Sequence, residues 1–463
     1  MASNKITVDI DVLKKYDRPG PRYTSYPTAP YLHEGVGHDE YIAHLQNDVK
    51  LKNNDDLSLY FHIPFCDTLC YFCGCNMMVT RNREKIEEYI GYLDKELRTL
   101  KPHIEGSHKV AQLHWGGGTP THLDPDQIRR LGSLIHDRFD FTRDAEISVE
   151  IDPRELTREH LQALRDVGFN RCSMGVQDFD PKVQQAVNRI QPETLTRQTV
   201  TWARELGFES VNLDLMYGLP HQTVSTFRKT IDSILKLDPD RLAVFNYAHL
   251  PQMIKHQRII KDEWLPEPEE KLRLLKLSIE QLTDSGYVYI GMDHFAKPDD
   301  ELTVAMNEGT LYRNFQGYST HAGLNLIAIG ITSISMLSDL YTQNYKTLKE
   351  YYAELDARRL PVMRGIELSR DDFVRREVIM ELMCNFRLRK TDIEAKYEID
   401  FNDYFSDALK KLESFVGDGL ATLEDDLITI TPPGRLLIRN VVMNFDAYIE
   451  RKDDDKPRFS RTV

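Results

Sequence analysis

Between residue 57 and about residue 247 the chain alternates short apolar runs with amphipathic ones. This alternation restricts the fold more than any other feature. The apolar runs are Leu57–Ile63, Val110–Trp115, Glu146–Ile151, Asn170–Val176, Ser210–Met216 and Arg241–Tyr247, all of strand length. Between them, Ile86, Tyr89, Ile90, Leu93, Leu97 and Leu100 recur at helical spacing, as do Val224, Phe227, Ile231, Ile234 and Leu235. Asp124-Pro125 and Asp180-Pro181 each read as an N-cap followed by proline at the first helical position. Six successive strand–helix units predict a parallel sheet, because parallel strands need crossover connections and these are right-handed. Six strands fall short of the eight of a closed barrel. A partly open barrel and a doubly wound open sheet both satisfy the pattern.

The chemically unusual residues lie at or just beyond the carboxyl ends of these strands, the active face of either architecture. Tyr60 and a cysteine loop belong to the first strand, and Gly116-Gly-Gly-Thr-Pro120 follows the second. Glu150 and Asp152 mark the third, Gln177 the fourth, Asp214 the fifth, and Tyr247 and Ala248 the sixth. The cysteine loop holds four of the six cysteines in the chain: Cys66, Cys70, Cys73 and Cys75. The first three have the spacing C-x3-C-x2-C, which lets one loop set three thiolates around a single inorganic centre. A cubane iron–sulfur cluster held by three thiolates keeps one iron free for a small molecule. A closed zinc site using all four cysteines is the competing reading, but zinc sites favour cysteine pairs separated by a longer loop. Cys172 and Cys384 are isolated and expected to be buried. No H-x-x-x-H helix pair appears among His62, His114, His249 and His294, so these are expected to be hydrogen-bonded core or cavity residues.

Beyond residue 250 a helical run around Glu269–Thr283 precedes Gly286–Phe295, which reads as one further strand, and then an aromatic stretch, Leu311–Tyr318. From about 365 the chain becomes mainly helical, with a strand candidate at Leu427–Thr431, a final helix near Gly434–Ile449 and a charged tail at Arg451–Arg461. The expected division is therefore 1–56 as an extended segment packed over the core, 57–364 as the catalytic domain and 365–463 as a small, mainly helical domain. The stretch Tyr16–Pro27 is too rich in proline and glycine for a helix. The formal net charge of −14 argues against nucleic-acid binding and requires any polyanionic substrate to be met by locally placed Arg and Lys. No window has the roughly 20 apolar residues of a membrane span. The N-terminus lacks the apolar core of a secretory signal, so a cytoplasmic protein is expected.

The motifs now converge. The triad Cys66, Cys70 and Cys73, with Phe72 just before its last member, resembles the radical S-adenosylmethionine superfamily. The wider set runs from Arg18-Pro-Gly-Pro-Arg-Tyr-Thr-Ser-Tyr-Pro27 to Gly434-Arg-Leu-Leu-Ile-Arg439. It includes His62-Ile-Pro-Phe-Cys66, His114-Trp-Gly-Gly-Gly-Thr-Pro120, Glu150-Ile-Asp-Pro-Arg154, Ser173-Met-Gly-Val-Gln-Asp-Phe179, Asp214-Leu-Met-Tyr-Gly-Leu-Pro220 and Gly291-Met-Asp-His-Phe295. This set resembles the oxygen-independent coproporphyrinogen III oxidase family. The resemblance implies an α/β fold: a partial, six-stranded β/α barrel with an N-terminal extended segment and a mainly helical C-terminal domain. It implies a [4Fe-4S] cluster on Cys66, Cys70 and Cys73 as metal ligands. Two S-adenosylmethionine molecules are implied, bound by Tyr60, Phe72, Gly117, Gly118, Thr119, Glu150, Gln177, Arg189, Asp214, Ala248 and Ile334. Tyr60 and Cys75 are carried over as catalytic residues.

The reaction implied is oxidative decarboxylation of two propionates of coproporphyrinogen III to vinyl groups, giving protoporphyrinogen IX. It proceeds by hydrogen abstraction with a 5′-deoxyadenosyl radical. Implied partners are this substrate and an electron donor such as flavodoxin or ferredoxin, with no nucleic acid, no membrane, and a monomeric enzyme. Arg22 and Arg313 are candidates for the substrate carboxylates, since Arg suits paired carboxylate contacts. The N-terminal segment and C-terminal domain would close the barrel mouth. A related haem-binding chaperone is the rival within the superfamily; those relatives lack the counterpart of Cys75 and the extended N-terminus, and this chain has both.

Overall fold

The computed structural model describes residues 6, 8–104, 106, 108–449 and 459–462. Its centre is one large sheet. Six strands run parallel and adjacent in chain order: β1 (Leu57–Ile63), β2 (Lys109–Gly117), β3 (Asp140–Ile151), β4 (Arg171–Gln177), β5 (Ser210–Tyr217) and β6 (Arg241–Asn246). Their registers bring the chemically unusual positions into line: Tyr60 pairs with His114, Glu150 with Ser173, and Gly175 with Asp214. β1 is buried at nearly every position, as a strand covered on both faces must be.

The sheet extends past both ends of the predicted set. Asn325–Ile329 adds a seventh parallel strand beside β1, and three antiparallel strands, Ile334–Met336, Leu340–Asn344 and Val362–Glu367, continue outward. Val362–Glu367 carries the sheet across the expected boundary at residue 364. On the other side, the single strand expected at Gly286–Phe295 is a hairpin of Val288–Gly291 and His294–Ala296. The reversal is made by Gly291 and Met292, both at positive φ (140° and 53°). The two outermost strands do not pair with each other, so the sheet is open.

The crossover helices form where caps and periodicity coincide. Asn82 caps Arg83–Leu100 by accepting from the backbone of Glu84 and Lys85, and the helix buries Ile86, Tyr89, Ile90, Leu93, Leu97 and Leu100. Asp124 and Asp180 cap Pro125–His136 and Pro181–Ala186 in the same way. One buried face carries a carboxyl group: Glu96 accepts from Gly330 N (2.9 Å), Asn344 Nδ2 (2.7 Å) and Tyr351 OH.

The N-terminal segment is not extended throughout. Ile10–Tyr16, His38–Asn47 and Val49–Lys52 are helices, started by caps at Asp9, Gly37 and Asp48. The intervening Pro/Gly-rich stretch is non-helical and crosses the C-terminal elements. Arg439 donates to Gly20 O and Pro21 O, and Tyr23 OH donates to Asp446 at 2.8 Å. After Glu367 come the helices Arg370–Asn385, Lys390–Tyr397 and Ser406–Gly417 and a three-stranded antiparallel sheet of Arg387–Arg389, Leu427–Ile430 and Ala421–Leu423. The long final helix is instead broken into Pro432–Arg435, Ile438–Val442 and a 3-10 turn at Met443–Phe445, because Leu437 leaves the helical conformation. Of the charged tail, 451–458 lie outside the described residues; Arg461 is docked, donating to Asp17 at 2.5 Å. Among the described residues, no helix is long and apolar enough to cross a membrane.

Candidate active site

The cysteine loop leaves β1 and is fixed from several elements at once. Gly118 N and Thr119 N, past the end of β2, donate to Ile63 O and Phe65 O, both at 2.8 Å. Phe65–Cys66 pairs in parallel with Met78–Val79 where the loop returns. Tyr71 N donates to Val187 O (2.9 Å), and Asn188 Nδ2 to Leu69 O (2.8 Å). From the segment after β6, Gln257 Nε2 donates to Phe72 O (2.9 Å) and His256 Nε2 to Cys73 O (2.6 Å). A loop so restrained can present its thiols in one arrangement.

Cys66, Cys70, Cys73 and Cys75 all line one cavity of about 290 Å³ at the carboxyl ends of the strands. Burial pushes the Cys66 thiol up to about 12, against a contact from Thr119 Oγ1 at 3.4 Å. Cys70 Sγ accepts from Arg154 Nη2 (3.4 Å) and lies 3.6 Å from Arg189 Nη1. The Cys75 thiol and its backbone N–H (3.4 Å) both donate to Cys73 Sγ, which draws the Cys73 thiol below its ordinary value and raises that of Cys75.

The same cavity gathers Phe72, Gly117, Gly118, Thr119, Glu150, Gln177, Arg189 and Asp214. Burial opposes the charge on Glu150, but the facing His114 imidazole, with Nε2 at 3.7 Å, and a hydrogen bond from Gly117 N (3.1 Å) outweigh it and hold the carboxyl below its usual range. Asp214 goes the other way: burial, then the nearby Glu150 charge, raise it to about 7 despite donors from Ser173 Oγ (3.1 Å) and Asn212 Nδ2 (2.7 Å). Gln177 adopts φ 68° at an irregularity in β4, and its Oε1 is buried without a partner among the described residues. Arg189 spends Nη1 on Asp152 (3.1 Å) and Nη2 on Gly175 O (2.6 Å), leaving a buried Nε unpartnered.

Five expected residues stand outside this cavity's lining. Tyr60 donates to or accepts from His62 Nδ1 at 3.1 Å and stacks on His114 at 5.9 Å, one layer from Glu150. Ala248 meets the site through its carbonyl, which accepts from Gln257 Nε2 at 3.3 Å. Ile334 lies two strands away from β1, opposite Gln343. Arg22 pairs with Asp293 and lies 5.8 Å from the ring of Phe245, which lines the cavity. Arg313 is 3% exposed, stacks on Tyr318 at 4.7 Å, and has no partner for Nε or Nη1 among the described residues. The sequence reading missed Arg154, His256 and Gln257. Arg154 could have been found, since it follows Asp152 by two residues in an otherwise recognised motif; nothing local signals Gln257.

Residues 60–234 match the radical SAM superfamily and residues 368–437 the HemN C-terminal domain. The oxygen-independent coproporphyrinogen III oxidase of Escherichia coli K12 is 49% identical over the whole of both chains, and that of Synechocystis is 46% identical over 98% of this chain and 97% of its own. The solved structure of coproporphyrinogen III oxidase (HemN) from Escherichia coli, described as a radical SAM enzyme, superposes with a TM-score of 0.91 at 48% identity, covering 96% of this chain and 100% of that one. The chain belongs to the oxygen-independent coproporphyrinogen III oxidases.

Membership implies a [4Fe-4S] cluster and S-adenosylmethionine, and the donor set fits both. Among the described residues no three His, Cys, Asp or Glu side chains close on a single-ion site. The thiols stand around a cavity, as thiolates bonded to different irons of a cluster do. The triple glycine of this oxidase has a more structural use than the sequence suggested. A Cβ on Gly118 would meet Phe65 O at 2.8 Å and Pro64 C at 2.9 Å; one on Gly117, at φ 117°, would meet the His62 ring at 2.8 Å. The glycines let β2 press its end against the backbone of the cysteine loop while leaving main chain facing the cavity.

Proposed function

We propose that the chain decarboxylates two propionates of coproporphyrinogen III oxidatively to vinyl groups, yielding protoporphyrinogen IX. The cluster on Cys66, Cys70 and Cys73, with S-adenosylmethionine, supplies when bound the 5′-deoxyadenosyl radical that removes a propionate hydrogen. The residues of the chain bind and orient. Gly117, Gly118 and Thr119 offer main chain to the amino-acid end of S-adenosylmethionine, Arg189 Nε offers the one guanidinium donor not already engaged, and Glu150 and Asp214 accept from ribose hydroxyls. Tyr60, Phe72, Gln177, Ala248 and Ile334 complete the room for two molecules of it. Cys75, its thiol raised by its contact with Cys73, stands at the cavity wall.

The observation that carries the substrate assignment is a group of cations, buried at Arg313 and Arg439 and half-buried at Arg22, in an acidic protein. Arg313 lies beside Arg22 and Arg439; burial first, and then their mutual repulsion, lower Arg22 to about 10. Burial likewise lowers Arg439 to about 10. The buried Nε and Nη1 of Arg313 have no partner among the described residues; such N–H groups call for an anion, and the substrate carries four carboxylates. The N-terminal segment brings Arg22 to the cavity edge, and Arg439 of the C-terminal domain clamps that segment at Gly20 and Pro21. The proposed units are 1–56, 57–364 and 365–463, with the first and last closing the barrel mouth. The protein acts as a cytoplasmic monomer reduced by a carrier such as flavodoxin or ferredoxin. An anaerobic assay of carbon dioxide release and vinyl formation, with Cys66→Ser as control, tests the reading. Stable haem binding without turnover would overturn it in favour of haem carriage.

A further inference from the structure

The cysteine loop has a second side, turned from the cavity. There it packs through Tyr71 on a small hydrophobic cluster separate from the main core, Val183, Val187, Leu219, Tyr247 and Ile260, which Phe72 also touches while lining the cavity. Two surface elements sit on this cluster. One is the helix Pro181–Ala186, continued by Val187 and Asn188, which bind the backbone of Tyr71 and Leu69. The other is the segment 253–261, whose His256 and Gln257 bind the carbonyls of Cys73 and Phe72. A single hydrogen bond of 2.6 Å therefore joins this surface to the main chain of a cluster cysteine.

The outward side chains of these elements differ from the rest of the molecule. The chain carries a net charge of −14. Lys182, Lys255 and Arg258 nevertheless point outward, and no ion pair with a carboxylate is found for any of them among the described residues. Met253 and Ile259 are 65% and 48% exposed beside them, although large apolar side chains elsewhere are mostly buried. Arg258 Nε donates only to a carbonyl, Pro251 O, and the neighbouring carboxylates Asp262 and Glu263 face His249 and Lys261. Exposed apolar side chains beside cations with no carboxylate partner, in an otherwise acidic protein, fit a transient acidic partner. The position of the patch selects the kind of partner. Electron transfer requires close approach to the cluster, and the cavity side is taken by S-adenosylmethionine and substrate.

We propose that the surface formed by Lys182, Met253, Lys255, Arg258 and Ile259 is the docking site of an acidic one-electron carrier protein that reduces the cluster through the Leu69–Cys73 side of its loop. The proposal rests on the reading of the chain as a reductively driven radical enzyme. In the transfer, one electron leaves the reduced flavin or iron–sulfur centre of the carrier and enters the cluster; no bond between the proteins forms or breaks.

The test uses the anaerobically reconstituted full chain. Binding of oxidised flavodoxin, and separately of a plant-type ferredoxin, is measured by calorimetry at low and raised salt for the parent, for Lys255→Glu/Arg258→Glu, and for Lys182→Glu on the other element. S-Adenosylmethionine cleavage is measured in parallel with each carrier and with dithionite. The expected result is binding by the parent that weakens with salt, a loss on the order of tenfold in the double variant, a smaller loss in Lys182→Glu, and unchanged cleavage with dithionite in all three. Unaltered carrier binding in both variants, or a parent that binds neither carrier, overturns the proposal. A concentration-dependent dimer abolished by the same substitutions assigns the surface to a second copy of the chain and overturns it too. Failure of the parent to cleave S-adenosylmethionine with dithionite would instead defeat the enzymatic reading itself.

Discussion

Asp152 is the point at which the charge arrangement of the site can be broken most cleanly. It accepts from Arg154 Nη2 (2.6 Å), Arg154 Nε (3.0 Å) and Arg189 Nη1 (3.1 Å), and from Arg154 N at 3.1 Å. The side chains are 12% exposed for Asp152, 14% for Arg154 and 9% for Arg189, so solvent screens the triad little. Burial would raise the carboxyl, but the charges of Arg189 and Arg154 hold it far below the usual carboxylate range. Asp152→Asn keeps the shape and removes the charge. Two guanidiniums then face each other, the Asn Nδ2 can accept from neither, and each ion-paired hydrogen bond worth about 1.5–3 kcal/mol is lost or becomes a weaker bond from a charged donor to a neutral oxygen. Removing one partner of a buried ion pair costs about 3–5 kcal/mol. Because both arginines also donate to Cys70 Sγ, their displacement reaches the cluster loop. The expected outcome is a urea unfolding midpoint lowered by the equivalent of about 3 kcal/mol or more, with fewer irons retained per chain after desalting. Adding Arg189→Met removes one orphaned cation and should return part of the loss. A single variant that unfolds with the parent and keeps its iron would refute the buried-triad account.

Four further outcomes follow from the same geometry. Gly118→Ala drives a methyl into the backbone of Phe65 and Pro64, which cannot rotate away. The expected cost is about 1–3 kcal/mol of overpacking, read as a lower iron content after reconstitution. Glu96 is raised to about 7 by burial, against its three donors, so the folded chain holds a proton that the unfolded chain has already lost. Its contribution to stability therefore falls as pH rises from about 4.5 to about 7 and is level beyond, a change of about 3 kcal/mol at 1.36 kcal/mol per unit. Glu96→Gln should lack that slope, so the stability difference between parent and variant should itself fall by that amount as pH rises. Arg313→Met should raise KM for coproporphyrinogen III at least tenfold while leaving uncoupled S-adenosylmethionine cleavage intact; equal effects on both would remove Arg313 from substrate binding. Deleting residues 1–30 should abolish substrate turnover but not cluster assembly, and full turnover would refute closure by the N-terminal segment.

The parallel core was readable because its strands are buried on both faces and its helices carry a clean apolar stripe with a side-chain cap at the start. Local chemistry decides those elements, so periodicity finds them. The seventh parallel strand, Asn325–Ile329, was missed for a nameable reason. It reaches β1 from more than 260 residues away in sequence, and its five residues carry no alternation that separates a strand from a short buried run. The hairpin at Gly291-Met292 was missed because apolar residues flank both sides of the turn; only the glycine hinted at a reversal. The N-terminal helices were overlooked because the proline-rich stretch between them dominated the composition of the segment.

The site was legible in proportion to how local its residues are. Cys66, Cys70, Cys73 and Cys75 share one loop, so spacing alone gathered them. Glu150, Gln177 and Asp214 are far apart in sequence but occupy equivalent strand ends, and the parallel registers bring them to one cavity. Gln257 and His256 belong to neither class. They lie in a short 3-10 helix, Lys255–Ile259, past β6, and what they bind is main chain, which leaves no complementary residue type to search for. Yet they hold Phe72 and Cys73 in place. The part of the site hardest to read from sequence is therefore its frame: backbone carbonyls of the cysteine loop held by amide, imidazole and main-chain donors from the segments that follow strands β2, β4 and β6. That frame is also what makes the glycines at 117 and 118 intolerant of a Cβ, since the loop they touch has nowhere to move.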